Sequence, residues 1–255
     1  MQLLIRTHQG IQLTSQGEKF YQEALQLIAH SDEFLNQLKL SETKKTIQIG
    51  SSFLNPAKEF VDLWNHVPTL SKQYKLKVIP YDDDHHHILQ VIGQLGHQFD
   101  FLVGTFNSKQ MMEKSQYQQL GVHHLYVAVP RNHRLSAYSK LQITDLYGEQ
   151  LLCVKAGDSE YIDDFRDFIQ SYHPQIHLQD TNYFYDIDTF NQCEEQNCVL
   201  LTLDVWEHIH PSLVTIPVDW DFVMPYGLLY AKNPSEDVQH CLKEMKYYLK
   251  NEVMK

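Results

Sequence analysis

Ser51, Ser52 and Asn55 form the first group in this 255-residue chain whose types and spacing could do chemistry. They follow a β-branched apolar run (TIQIGS, 46–51) and precede a helical pattern that begins near Pro56. At such a turn the hydroxyls, the amide and the free N–H groups of the first helical turn converge, a set that suits a carboxylate or another small anion. Corresponding turns carry Asp84 and His85, Thr105, the Lys155-Ala156-Gly157 step and Thr202. Lys155 would supply a cation to pair with an anionic ligand. Plain N-capping accounts for Ser51, Ser52 and Asn55 equally well, and an isolated loop lysine is more often simply solvated.

The most unusual run is Asp82-Asp83-Asp84-His85-His86-His87. Three adjacent histidines on a helix point in different directions and cannot all ligate one ion, and an Asp-first turn is an ordinary helix start. With no second His/Cys/Asp cluster at ligand spacing, neither a metal nor a cofactor is expected. Cys193 and Cys198 are too far apart for a zinc-ribbon pair, and Glu194 and Glu195 beside them disfavour a thiolate. With Cys153 and Cys241 they read as small buried hydrophobes. Only 10 glycines are present, and no nucleophile elbow, phosphate-cradling loop or His-Glu-Xaa-Xaa-His occurs. No catalytic residue is assigned, and the chain is not expected to be an enzyme.

These side chains need elements to position them. A hydrophobic fraction of 43% against 21% charged is that of a globular chain, and the length suffices for one large core or two smaller ones. No apolar run reaches the roughly 18 residues of a membrane span, and the N-terminus lacks the pattern of a secretory signal, so a cytosolic protein without a membrane partner is expected. The net charge of -11 argues against a surface that coats nucleic acid all over. That charge is uneven: residues 1 to 45 hold five basic side chains (Arg6, Lys19, Lys39, Lys44, Lys45) and five acidic ones (Glu18, Glu23, Asp32, Glu33, Glu42), so the excess lies beyond residue 45.

Within residues 1 to 45, apolar residues recur at the spacing of one helix face. Ser15 and Glu18 have the spacing of a capping box before it. A helix of about 25 residues is close to 40 Å long, more than a small neighbouring domain covers. Its stripe, with Phe20, Leu25, Ile28 and Leu35, is therefore expected to meet a second copy of itself. Beyond it, strand-like runs (46–51, 76–80, 99–105, 124–129, 151–154, 199–202, 226–231) alternate with helical stretches (56–65, 86–95, 159–171, 187–195, 235–249), which points to βαβ units and parallel sheets.

The stretch Arg6-Thr7-His8-Gln9-Gly10-Ile11-Gln12-Leu13-Thr14-Ser15-Gln16-Gly17 resembles the wing and the start of the linker helix of LysR-type transcriptional regulators. Leu125 to Leu146 (LYVAVPRNHRLSAYSKLQITDL) is similar to that family's crossover segment, with a His-Xaa-Leu turn at His133 to Leu135 followed by an Ile-Xaa-Asp-Leu step. The resemblance implies an α/β fold: a two-lobed type II periplasmic-binding-protein-like effector domain preceded by a long linker helix and a remnant wing. The wing would occupy 1–13, the linker and dimerisation helix 14–40 and the effector domain 46–255. Lobe one would combine about 46–124 with 226–255, and lobe two would span about 125–225. It implies a small-molecule effector, a small anion or polar metabolite, held in the cleft by Ser51, Ser52, Asn55, Asp84, His85, Thr105, Lys155, Ala156, Gly157 and Thr202. It further implies phosphate contacts from Arg6, Thr7, His8 and Gly10, DNA binding through a full-length form, and a homodimer or homotetramer. The chain starts only a few residues before Arg6, so most of the winged helix-turn-helix is expected to be missing. A remnant that no longer reads DNA and serves as a cytosolic binding or interaction module is the alternative. At Gln196 to Leu203 (QNCVLLTL) the chain departs from the glycines and proline usual in the family.

Overall fold

The computed structural model of the chain describes residues 2–7, 10–38 and 44–252. It divides into two units, Met1–Lys45 and Thr46–Lys255.

The first unit is a hairpin followed by a helix. Strand β1 (Leu4–Thr7) pairs antiparallel with β2 (Gly10–Leu13), in a register that sets Leu4 opposite Leu13 and Thr7 opposite Gly10. Helix α1 (Ser15–Leu38) is 24 residues long, about 36 Å at 1.5 Å per residue. Its cap differs from the expected Ser15 box: Thr14 stands before the helix, and its Oγ1 accepts from the Gly17 amide at 2.9 Å. A Cβ on Gly17 would lie 2.0 Å from the Leu3 carbonyl oxygen, so only glycine lets the hairpin and the first helical turn pack this closely. Phe20, Leu25 and Ile28 are 54%, 40% and 59% exposed, large values for apolar side chains sharing one helix. His8 and the side chains of Arg6, Thr7 and Leu35 lie outside the described residues.

The second unit is built on a sheet of nine strands among the described residues, in the order β4-β3-β5-β11-β6-β9-β7-β8, with β10 also paired to β6. In chain order these are β3 (Lys45–Ser51), β4 (Tyr74–Pro80), β5 (Phe101–Gly104), β6 (Ser115–Pro130), β7 (Gln150–Cys153), β8 (His177–Asp180), β9 (Val199–Leu203), β10 (Leu213–Ile216) and β11 (Val223–Ala231). Helices α2 (Lys58–Asn65), α3 (Pro68–Gln73), α4 (Ile88–Ile92), α5 (Lys109–Met112), α6 (Glu160–Tyr172), α7 (Ile187–Gln196) and α8 (Glu236–Glu252) connect them. The expectation of parallel sheets needs correction, because the sheet is mixed. β3–β5, β7–β8 and β7–β9 run parallel, whereas β11 is antiparallel to β5 and β6, and β6 to β9 and β10. Among the described residues β6 alone pairs at both ends of the sheet, with β11 through its first part and with β9 and β10 through its second, and all three of these partners run antiparallel to it.

Both faces of the sheet are covered, which the sequence shows as continuous apolar runs in place of alternation. In β5, Phe101 and Val103 face a core with Ile47, Ile49, Phe60 and Trp64, while Leu102 faces the opposite one with Ile88, Ile92 and Phe99. In β9, Val199 and Leu201 pack with Phe165 and Ile169, while Leu200 packs with Phe190, Cys193 and Cys198. The period of two sends neighbouring residues into different cores. α8 adds Val238, Cys241, Leu242 and Met245 at helical spacing to the first of these cores. No helix among the described residues is long and apolar enough to cross a membrane.

One carboxylate at the edge of this core works against the fold at neutral pH. The Asp100 carboxylate accepts from the Gln48 amide at 2.7 Å, yet burial, with the negative charge of Asp237 adding to it, raises its pKa to about 6. A carboxyl whose folded value exceeds its unfolded one contributes stability at low pH, and that contribution is lost as pH rises between about 4 and 6. Asp100→Asn is expected to match the wild type at pH 4 and to be more stable at pH 7.5 by on the order of 2 kcal/mol. Urea denaturation at the two pH values measures the difference; equal stability at pH 7.5 would refute the assignment.

Candidate functional site

A cavity of about 110 Å³ lies where the two ends of the sheet meet. Its size approaches the ~150 Å³ of a cavity that takes a benzene-sized guest. Its walls come from the turns after β3, β5, β7 and β9, together with the 183–185 segment before α7. A second recess of about 330 Å³ shares Leu54, Asn55, Thr105, Leu203 and Trp206, and is rimmed by Lys58, Glu59, Asp62 and His123.

The turn after β3 is organised from within. Ser51 Oγ accepts from the Ala57 amide at 3.0 Å, and Ser52 Oγ accepts from the Asn55 amide at 3.0 Å. The remaining donors go to a carboxylate of the protein itself: the Leu54 amide donates to Asp83 Oδ2 at 2.7 Å and Asn55 Nδ2 to Asp83 Oδ1 at 3.3 Å. Burial raises the Asp83 pKa, and these hydrogen bonds partly offset it. Asn55 packs directly over the end of β5, where a Cβ on Gly104 would sit 2.3 Å from Asn55 Oδ1.

Asp84, His85 and Asp186 each bring one potential ligand atom within 4.8 Å of the others. All three side chains are engaged in hydrogen bonds inside the protein. His85 Nδ1 bonds the Asp186 carboxylate, which also caps α7 by accepting from the Thr189 amide at 3.1 Å. Asp84 accepts from the His86 amide at 2.8 Å and pairs with His87 Nδ1 at 2.7 Å, and these contacts lower its pKa. The His85 and His87 side chains thus take different carboxylates, Asp186 and Asp84.

Of the residues singled out from the sequence, Asn55, Thr105 and Thr202 line the cavity. Ser51, Ser52, Asp84 and His85 stand outside the lining, and so do Lys155, Ala156 and Gly157, which are exposed. Lys155 Nζ sits 5.5 Å from the centre of the Tyr183 ring, and the Gly157 carbonyl accepts from Lys109 Nζ at 3.2 Å. Thr202 is 1% exposed, and its Oγ1 has no hydrogen-bond partner.

Sequence reading missed the groups that tie the cavity walls together. Asp158, buried at 5% exposure, accepts from Ser108 Oγ at 2.5 Å and from the Gln110 amide at 3.1 Å, and its carbonyl accepts from the Lys109 amide at 2.8 Å. Ser159 donates to Asn107 Oδ1 at 2.7 Å, and Trp206 Nε1 donates to the Leu54 carbonyl at 2.7 Å. The signal was partly present: Asp158 and Ser159 directly follow Gly157 at the next helix start, where Ser159 caps α6. Nothing in the sequence marks the partners Asn107 and Ser108, about 50 residues away.

The cysteines are buried free thiols. Burial pushes Cys153 and Cys241 up to about 12, and Cys193 donates to the Cys198 carbonyl at 3.2 Å.

The second unit is an open mixed sheet whose two ends wall this cavity. Solved structures share its fold. The chain superposes on CbnR, a LysR-family transcriptional regulator, with a TM-score of 0.67 at 13% identity, covering 92% of this chain and 81% of that one. CbnR complexed with its target DNA gives 0.56 at 13% identity, covering 97% and 84%. The effector-binding domain of QuiR in complex with shikimate gives 0.53 at 14% identity, covering 82% and 99%. The fold is therefore that of LysR-type regulators and their periplasmic-binding-protein-like effector domains. No protein-family model matches the chain, and no curated protein matches it.

Asp158 gives the cavity its clearest stability test. Asp158→Ala leaves the Ser108 hydroxyl and the Gln110 amide without their acceptor and is expected to cost about 1–3 kcal/mol. Asp158→Asn, which keeps one acceptor oxygen, should cost less. Urea unfolding ranks the variants, and an unaffected Asp158→Ala midpoint would count against the tie described above.

Proposed function

We propose that the chain is the linker-helix and effector-binding portion of a LysR-type transcriptional regulator, in which a small metabolite bound in the cleft controls transcription through a dimer or tetramer. One observation carries this reading: a metabolite-sized cavity, walled by both ends of the sheet and holding the buried, unpartnered Thr202 hydroxyl, on the fold of such regulators. Asn55, Thr105 and Thr202 are the residues assigned to the effector. A ligand that touches both walls stabilises their closed arrangement over any open one, and that differential affinity is the whole of the switching energy. The exposed Phe20, Leu25 and Ile28 on α1 support self-association through that helix. DNA contact would fall to the hairpin of β1 and β2, with Arg6, Thr7, His8 and Gly10 against phosphates, which position a protein without specifying sequence.

Two measurements test the reading. In a thermal-shift screen of metabolites on the full chain, an effector at 100 times its dissociation constant should add about 2.7 kcal/mol. Absence of any stabilising metabolite would remove the ligand-gated half of the proposal. In sedimentation equilibrium, the double substitution Leu25→Asp and Ile28→Asp should convert the assembly to monomer while leaving the effector-dependent shift intact. A wild-type chain that is monomeric at all concentrations would remove the other half.

A further inference from the structure

The cleft turn after β3 has the donors to receive an anion, but an anion of the protein already occupies them. The Leu54 amide and the Asn55 side-chain amide both point at Asp83, while the Ser51 and Ser52 hydroxyl oxygens accept from the Ala57 and Asn55 amides and the Ser52 side chain also bonds Asp83. Across the cavity stands a second carboxylate, Asp158. No lysine, arginine or histidine is among the lining residues; Lys155 is engaged over the Tyr183 ring and Lys109 on the Gly157 carbonyl, both outside it. A carboxylate ligand would have to shed its water beside two like charges and find no counter-ion, which is costly on both counts. What the cavity does offer is acceptors. Asp158 has oxygen lone pairs beyond the two hydrogen bonds its carboxylate accepts here, Asp83, which already receives Leu54, Asn55, Ser52 and Phe53, adds its negative charge, and the Thr202 hydroxyl is buried without a partner. Phe106, Met111, Ile162 and Trp206 supply apolar walls for a small body.

The geometry points to a cationic ligand: a small amine on a compact apolar body, its ammonium accepted by Asp158 and attracted by the negative charge of Asp83, and its selection against anions set by Asp83 acting as a built-in occupant of the anion seat. This rests on the reading of the cleft as the effector site, and it replaces the small anion expected from the sequence with the opposite charge. The aromatic side chains of Phe106 and Trp206 suit such a cation as well as its apolar body.

The test uses the full chain and matched probes: benzylamine, benzamide and benzoate, with isobutylamine and isobutyrate as an aliphatic pair, followed by ligand-observed NMR and thermal shift. Each amine is expected to bind at least about tenfold more tightly than its carboxylate counterpart. In Asp83→Asn, which keeps an acceptor for the Leu54 amide, amine affinity should fall by roughly tenfold while the carboxylates hold or gain. A merely structural role for Asp83 would weaken both classes together, and that result overturns the assignment. Asp158→Asn provides the same comparison should the Asp83 variant fold poorly. Carboxylates or amides binding as well as amines to the wild type would overturn the inference while leaving the cleft a ligand site. If neither these probes nor a broad metabolite library binds, the inference and the effector-site reading fall together.

Discussion

β6 is the constraint on which the rest of the second unit depends. It runs 16 residues without a break, and its neighbours change partway: Ser115–His124 pairs with β11, and from Leu125 onward the partners are β9 and β10. Each end of the sheet is completed by a different part of the same strand. The change of partner falls beside Asp204, whose carboxylate accepts from the His124 amide at 3.1 Å and faces His123 Nδ1 at 3.2 Å. Burial works against the charge on Asp204, but these contacts outweigh it and hold its carboxyl below the usual range. The junction thus joins an ionised group to the buried Leu125 and Met224 beside it.

Carboxylates organise the cavity in the same way. Asp83 takes its donors from Leu54 and Asn55, Asp158 from Ser108 and Gln110, and Asp186 from His85 and Thr189, so each ties its own turn to a distant segment with donors that are neither lysine nor arginine. Backbone N–H groups and hydroxyls can satisfy a half-buried carboxylate without neutralising it. The acidic balance of the chain therefore has a local counterpart: negative charge is concentrated where the walls meet.

Much of the scaffold was legible in the sequence. The apolar runs at β5, β7 and β9 are continuous because both faces are covered, and the sequence of α1 carries apolar residues at helical spacing. The polar first part of β6, SQYQQLGVHH, was not legible, because it is a strand by virtue of pairing with β11 and not by its own propensity. Strand direction was lost for a related reason: β11 lies almost 100 residues beyond β6 in the chain, and periodicity says nothing about which way a distant partner runs. Of the cavity-lining residues, Asn55 and Thr105 follow strand ends as the sequence suggests, whereas Thr202 lies within β9. Asp83 was hidden between Asp82 and Asp84, since three identical side chains differ only in where the backbone aims them. Asp186 was hidden by its 101-residue separation from His85.

Among the described residues the chain passes from one end of the sheet to the other at His124–Leu125 and returns at Phe222–Val223, and these passages are hydrogen-bonded neighbours, His124 lying opposite Val223. A single passage would leave a universal joint, free to swing and to twist. Two passages side by side define an axle. The halves can fold toward each other about one line, but sliding or screwing past each other would break the pairing at the passages themselves, His124 against Val223 and the Leu125 amide donating to the Phe222 carbonyl at 2.9 Å. Under the proposed function, a molecule wedged in the cleft would act on one angular coordinate, and occupancy would be reported as an angle.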